Sequence, residues 1–426
     1  MPRRRLARLL LRSGSLLAAV VVLWPALPFA SAPKFVTSAS PLLAIGSSMA
    51  TRTVGLAAGI GILFAVMCCL RRRWFCRFIC PTGLILDGVA HLGPSRTRSW
   101  SSWPAIGKYA ALMTLAGACA GYPVFLWLDP LAILSSPFAG VRNPDLISGL
   151  LAGILLGILI PSTYVMGTFW CVRVCPLGGL QDLLAILRTP GKAFITNLSG
   201  FLKPATGSLA RRSFLTAMIA GGLMLGLWGR KAGIARAEAA PLRPPGAVSE
   251  DRFTGLCIRC GNCAGVCPAK IIHPDRGRAG VPGLLAPSLR YTDKEFCHED
   301  CKLCTEVCPS GAIQALTLPQ KERYIIGEAL VDANYCLTTL GKKDCDACVV
   351  ACPYEAVQLY WDEEMYVAYP VITAAKCNGC GACEAACPTG EIKAISVWPL
   401  LLDNSSARSL IPDARFLPPA PSHGTA

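Results

Sequence analysis

The chain has 426 residues, of which 53% are hydrophobic and 16% charged, with 23 cysteines and a formal net charge of +15. That balance points to a bilayer rather than to water as the solvent of much of the chain. The positive charge is confined to residues 1–249, with 25 Lys/Arg against five acids, while residues 250–426 carry 16 against 21; because the basic residues flank apolar runs, a nucleic-acid partner is excluded.

The first half, residues 1–205, reads as a membrane domain. Four apolar stretches approach spanning length, at Leu16–Phe29, Val54–Leu70, Ile106–Leu128 and Leu146–Phe169. Arg3, Arg4, Arg5, Arg8 and Arg12 precede the first; Arg71, Arg72, Arg73 and Arg77 follow the second; Arg173, Arg188 and Lys192 follow the fourth. The loops at 30–53 and 129–145 are poor in positive charge. The positive-inside rule therefore puts the N-terminus and the 71–105 and 171–213 loops in the cytoplasm of a bacterial inner membrane.

Each inner loop carries a short cysteine motif. Cys76-x3-Cys80-Pro81 recurs as Cys171-x3-Cys175-Pro176, and an offset of 95 residues also lays Asp87 on Asp182. Such a repeat implies an internal duplication about a pseudo-axis. Its four thiols suffice for one cluster, against the plainer reading of inert buried thiols. Cys68, Cys69 and Cys119 lack a motif and read as small apolar residues. Asp87 and His91 are four apart, on one helix face just beyond Cys80-Pro81. With Asp182 they are the candidate proton acceptors if a quinol reacts here; otherwise they are a polar pair at headgroup level.

Residues 206–249 form a connector. Arg211-Arg212-Ser213-Phe214-Leu215 opens a fifth apolar stretch, Phe214–Trp228, and Ala235-Arg236-Ala237 follows. This is the pattern of a twin-arginine export signal with an A-x-A site, or of a span with a positive flank. Either way an odd number of crossings puts the cysteine-rich second half in the periplasm. Pro241, Pro244 and Pro245 stiffen the linker.

Residues 250–398 hold sixteen cysteines in four groups, each ending in Cys-Pro. They are Cys257, Cys260, Cys263 and Cys267; Cys297, Cys301, Cys304 and Cys308; Cys336, Cys345, Cys348 and Cys352; and Cys377, Cys380, Cys383 and Cys387. The first and fourth have the C-x2-C-x2-C-x3-C-P spacing of bacterial ferredoxins, the second gains one residue, and the third opens with an eight-residue gap. Three close thiols cap three irons of a cubane, and the fourth serves a neighbouring cluster. Zinc sites favour two CxxC pairs instead, and a disulfide framework is the remaining competitor. Four [4Fe–4S] clusters are expected, each adding about −2 when oxidised, which takes this acidic domain to roughly −13. The short apolar runs at 312–316, 356–360 and 392–396 suit small strands beside the clusters. Residues 399–426 read as a loose tail.

No Cys-x-x-Cys-His is present, and none of the four histidines (His91, His273, His298, His423) lies in a span, so neither c-type nor bis-His haem is expected. No dinucleotide fingerprint or P-loop is present. The expected fold is an α-helical membrane domain, four spans plus a fifth of twin-arginine type, followed by an α+β double bacterial-ferredoxin-like domain.

The first half resembles NapH-type membrane ferredoxin proteins, through Trp74–Leu84, Trp170–Leu180 and Asp129-Pro130. The second resembles the NapG and MauM ferredoxin-type proteins, through Arg211–Leu215, the four motifs and the Cys336-Leu337…Gly341…Cys345-Asp346-Ala347-Cys348 segment. The resemblance implies a fused quinol dehydrogenase passing electrons from the quinone pool to a periplasmic c-type cytochrome or reductase, in a nitrate-reductase-type system. The alternative is an accessory factor that matures or reactivates a periplasmic metalloenzyme. By analogy with four-cluster relatives, motif one pairs with four and two with three. Cys257, Cys260 and Cys263 would then take Cys387, and Cys377, Cys380 and Cys383 would take Cys267. Cys297, Cys301 and Cys304 would take Cys352, and Cys336, Cys345 and Cys348 would take Cys308.

Overall fold

The computed structural model describes residues 3–24, 32–94, 105–141, 146–188, 220–224, 227, 241–291, 295–363, 366–390 and 392–399. The twin arginines, the Ala235–Ala237 site and the tail lie outside them. Of the fifth apolar stretch, residues 220–224 and 227 are described; they are helical, and Gly222 sits directly on Met113 and Ala116.

The N-terminal half is a helical bundle built from two copies of one plan. The first copy is α1 (Arg3–Leu23), α2 (Pro33–Ser38), α3 (Pro41–Thr51), α4 (Ala58–Leu70), α5 (Trp74–Phe78) and α6 (Pro81–Leu92). The second is α7 (Ile106–Cys119), a 3-10 turn (Leu126–Leu128), α8 (Pro130–Val141), α9 (Leu146–Met166), a π turn (Trp170–Val174) and α10 (Pro176–Ile186). The duplication inferred from the 95-residue offset is therefore carried by the backbone. Cys80 (φ −54°, ψ 108°) and Cys175 (φ −59°, ψ 117°) precede α6 and α10 in matching conformations. Proline at the first helical position loses no hydrogen bond there and presets φ.

The packing crosses between copies. α6 lies against α1 and also against α9 of the other copy; α10 lies against α7 and also against α4. That interlock brings the two cysteine loops together.

Two helices, over Leu6–Leu23 and Leu146–Met166, are long and apolar enough to cross a membrane; α4 and α7 are apolar but shorter. The first helix starts at Arg3 rather than near Leu16 because its arginines have partners. Arg12 pairs with Asp87 at 2.7 Å, and Arg8 lies over the Phe78 ring. The 30–53 and 129–145 loops are not open loops. Each folds a short apolar helix, α3 or α8, that runs back along the next long helix. Ser40 caps α3 and Asp129 caps α8, whose Leu131 N–H it accepts at 2.9 Å; Ser40 Oγ also donates to Asp129.

The C-terminal half is α+β, in two similar modules. In the first, Val248 N donates to Ala312 O and Gln314 N to Gly246 O, and β1 (Ile272–Pro274) pairs antiparallel with β2 (Pro287–Leu289). In the second, β3 (Glu328–Val331) pairs with β6 (Ile395–Trp398), and β4 (Val357–Asp362) with β5 (Val367–Ile372). The runs expected after the second, third and fourth motifs thus become the 312–314 ladder, β4 and β6.

Candidate iron–sulfur sites

Each module brings its own two motifs together. Cys257, Cys260, Cys263 and Cys308 line one cavity (site A), Cys377, Cys380, Cys383 and Cys352 another (site C), and Cys336, Cys345, Cys348 and Cys387 a third (site D). Cys297, Cys301 and Cys304 gather with Cys267 (site B), each within electrostatic reach of the others. Motif one is thus paired with two and three with four, which corrects the one-with-four and two-with-three pairing. The physical reason is locality: each module closes on neighbours in sequence, at a lower loop-closure cost than bridging both modules.

The thiols suit a cubane better than an ion. Among the described residues no three His, Cys, Asp or Glu converge to hold a single metal ion, and every described cysteine is free of a disulfide. The thiols instead stand around cavities, three from one tight loop and one from the next motif. Gly261 and Gly381 stand in the left-handed region at φ 76° and 82°, turning those loops between their second and third cysteines. Bound there, a [4Fe–4S] cluster supplies reversible one-electron storage. Burial pushes the thiols of Cys257, Cys260 and Cys263 up, and that of Cys380 to about 12, so filling the sites with iron releases protons. Cys387 goes the other way. Burial raises its thiol, but hydrogen bonds from Thr389 and from the backbone at Ala394 and Ile395 hold it below its ordinary value.

The sites form a row. Sites A and B exchange their fourth ligands, as do C and D. Between modules, Cys297 N donates to Cys380 O at 2.9 Å and Tyr291 Oη to Gly379 O at 2.7 Å, so B adjoins C. At one end, Cys257, Cys260 and Cys263 of site A are buried; at the other, Cys336, Cys345 and Cys348 of site D are partly exposed. Buried Lys321 donates to the carbonyls of His298 and Glu299, and its charge also acts on Cys297 of site B.

In the helical half, Cys76, Cys80, Cys171 and Cys175 converge as the repeat implies, each acting electrostatically on others of the set. Nothing in the cysteine spacing marks Gln181, which is fully buried beside them. Its Nε2 donates to Cys76 Sγ at 3.0 Å, and its Oε1 accepts from Cys76 N and Cys68 Sγ, both at 3.4 Å. Cys68 is therefore a donor in this network and not only a small apolar residue. The position equivalent to Gln181 in the first copy is Leu86, equally buried but unable to donate. An N–H aimed at a ligand sulfur favours the reduced, more negative cluster. Gln181→Leu is expected to lower the midpoint potential of a cluster here by tens of millivolts, on a scale where about 59 mV is tenfold, with iron content unchanged in a redox titration.

Arg72 and Arg73 donate to Asp182 at 2.7 and 2.8 Å. Burial raises the Asp182 carboxyl, but these two guanidiniums hold it below the usual carboxylate range. It stays ionised as the counter-charge of a clamp, which removes it from the proton acceptors. Asp87 is paired with Arg12, and His91 Nδ1 lies 2.7 Å from the Asp87 carbonyl on an exposed face.

The two halves meet at site A. Ser135 Oγ of α8 donates to Cys260 O at 3.1 Å, Tyr122 Oη meets Thr254 Oγ1 at 3.1 Å, Arg252 reaches Ala50 O at 2.8 Å, and Lys34 reaches Glu306 O at 3.1 Å. One apolar core holds Cys80, Cys175, Leu131, Ile258 and Cys260. At the start of α8, Thr82 Oγ1 donates to Pro130 O at 2.8 Å. Five residues of helix, roughly 7.5 Å of rise, separate that contact from the one at Cys260. Helix α8 thereby links the Cys-x3-Cys-Pro loops directly to the ferredoxin domain.

Residues 256–312 and 343–391 match the 4Fe-4S dicluster domain family, one match per module, and residues 51–99 and 148–190 match the 4Fe-4S binding domain family. The chain is 36% identical over 220 residues to the ferredoxin-type protein NapG of Escherichia coli K12, covering 48% of this chain and 91% of that protein. It is 34% identical over 166 residues to the methylamine utilization ferredoxin-type protein MauM of Methylophilus methylotrophus, covering 36% of this chain and 69% of that protein. No solved structure matches.

Proposed function

Because the chain belongs to the family of ferredoxin-type proteins that includes NapG and MauM, we propose that it carries electrons from the quinol pool of a bacterial inner membrane to a periplasmic c-type cytochrome or reductase. Four [4Fe–4S] clusters fill sites A to D, a fifth fills the site of Cys76, Cys80, Cys171 and Cys175, and the helical half, NapH-like, is the membrane anchor. The observation that carries this reading is the unbroken order of sites, from a buried end seated on α8 to a partly exposed end at site D. An acceptor would approach at site D, where Leu340, in the loop between Cys336 and Cys345, and Val350, two residues beyond Cys348, are exposed.

The seam supports a periplasmic position for the ferredoxin domain without appeal to the twin arginines. Among its contacts on the helical half, Lys34, Ala50, Ser135 and Ala139 lie in the two loops poor in positive charge, and Tyr122 and Ser148 lie at the ends of the apolar stretches that flank the second of them. Arg71, Arg72, Arg73 and Arg188 gather beyond the far end of α4. The positive-inside rule assigns the first set to the periplasm and the second to the cytoplasm.

Reconstituted anaerobically in lipid vesicles, the full chain is expected to be reduced by a quinol analogue and reoxidised by a basic c-type cytochrome outside, followed by bleaching of iron–sulfur absorbance. Absence of reduction by any quinol would sink the reading. A phenotype confined to activation of a partner enzyme, with its mature turnover untouched, would favour the accessory role.

A further inference from the structure

The three cavities lined by four cysteines differ in size. Each must admit the same cubane, yet that of site A measures about 60 Å³ against about 30 Å³ at site D and about 10 Å³ at site C. The cavity of site A is therefore the roomiest of the three. It faces the helical half: Ser136, Ala139 and Gly140 of α8 and Ser148, Leu151, Ala152 and Leu155 of α9 complete the wall. On the same α9, Leu150, Ile154 and Ile158 are exposed apolar side chains, so the bay adjoins the surface that the proposed function places in lipid.

A second observation is independent of volume. Asn262, between Cys260 and Cys263, is only 5% exposed and lines this cavity, and its Nδ2 has no hydrogen-bond partner. A buried amide donor without an acceptor is costly. The cluster does not require it, because the same place in the motif of equal spacing at site C is Ala382, with no donor to offer. The donor is thus a property of the site that meets the helical half. His273 and the largely apolar walls give the remainder of a lining that fits a flat, mostly apolar ring with a hydroxyl at its edge.

We propose that this bay, between α8, α9 and the Cys257–Cys263 loop, binds the head group of a hydroquinone, with Asn262 Nδ2 donating to one ring oxygen. The inference rests on the quinol reading above and gives that reaction its place. In the step the two O–H bonds of the hydroquinone break and the ring becomes a quinone. Two protons leave to water. Two electrons pass singly to oxidised [4Fe–4S] clusters, each of which takes one. Cys257, Cys260, Cys263 and Cys308 of site A line the bay, and the Cys76 site lies at the other end of the same short helix, so clusters held at these two sites would supply two one-electron acceptors for a two-electron donor.

The test uses the full chain in lipid, duroquinol as reductant, and two variants. Ala152→Phe fills the bay from α9, and Asn262→Ala gives site A the residue that site C has. Both are expected to keep full iron content and reduction by dithionite. Asn262→Ala is expected to slow reduction by duroquinol about tenfold, as for a lost hydrogen bond to the reacting oxygen, and Ala152→Phe to slow it further. If both variants, fully loaded, are reduced at the wild-type rate, the bay is overturned while the quinol reading stands. If the wild type itself is not reduced, the quinol reading falls, and the bay is judged by duroquinone binding alone. A shift of the site A paramagnetic signal that Ala152→Phe abolishes supports it, and no shift overturns it.

Discussion

Replacing Cys308 with alanine is expected to empty site A and leave site D filled. Cys308 lines the cavity of Cys257, Cys260 and Cys263, whereas the fourth thiol beside Cys336, Cys345 and Cys348 is Cys387. Iron content would fall by about four per chain, or the site would hold a three-iron remnant with its own paramagnetic signature. The signal of site D would be untouched. A pairing of motif two with three gives the opposite result, with site D lost and site A intact. The functional consequence is the largest of any single change outside the helical half. Site A joins the row to the helical half, so reduction by quinol would cease at sites B, C and D while dithionite still reduced them.

The second large effect is expected of Gly261→Leu. Gly261 stands at φ 76°, and a Cβ there would lie 2.5 Å from the Ala139 Cβ of α8. A side chain in the left-handed region costs about 1–3 kcal/mol, and forcing extra carbons into a packed seam adds about 1–3 kcal/mol. Part of this is relieved by lifting the ferredoxin domain off α8. Amide exchange in residues 252–266 is expected to accelerate, and quinol-driven reduction of site A to slow by a factor on the order of a hundred. Ala139→Gly in the same chain removes the opposing methyl and is expected to restore docking in part. No restoration would place the whole effect in backbone strain, and the seam would carry less of the coupling than the structure implies.

What could be read from the sequence was whatever a local pattern encodes. The sixteen cysteines carry their spacing in the chain itself, and the 95-residue offset of Cys76, Cys80 and Asp87 announced a duplicated half that the matching turns at Cys80 and Cys175 bear out. Long-range choices were not legible. Which motif lends its fourth thiol to which depends on how β3 meets β6 and how 246–248 meets 312–314, and spacing is silent on that. The short helices α3 and α8 were hidden because a hydropathy reading sorts stretches into spanning and not spanning, and eleven or twelve apolar residues fit neither class. The markers were present in Ser40-Pro41 and Asp129-Pro130, a capping residue followed by the proline that opens a helix. Gln181 and Asn262 are ordinary amides until the fold buries them beside sulfur.

The seam at α8 also favours an order of events in the life of the protein. Docking covers site A, whose loop is pressed against Ser135 and Ala139. Water-borne iron and sulfide therefore reach Cys257, Cys260 and Cys263 more freely before the domain settles on the helical half than after it. Damage has the reverse asymmetry. A cluster lost at site D, where the thiols are partly exposed, would be rebuilt from solvent more readily than one at site A, where the thiols are buried and α8 and α9 form part of the wall. Oxygen exposure would then leave chains with a sound outer end and a broken junction, and the slow step of their recovery would be the rebuilding of site A.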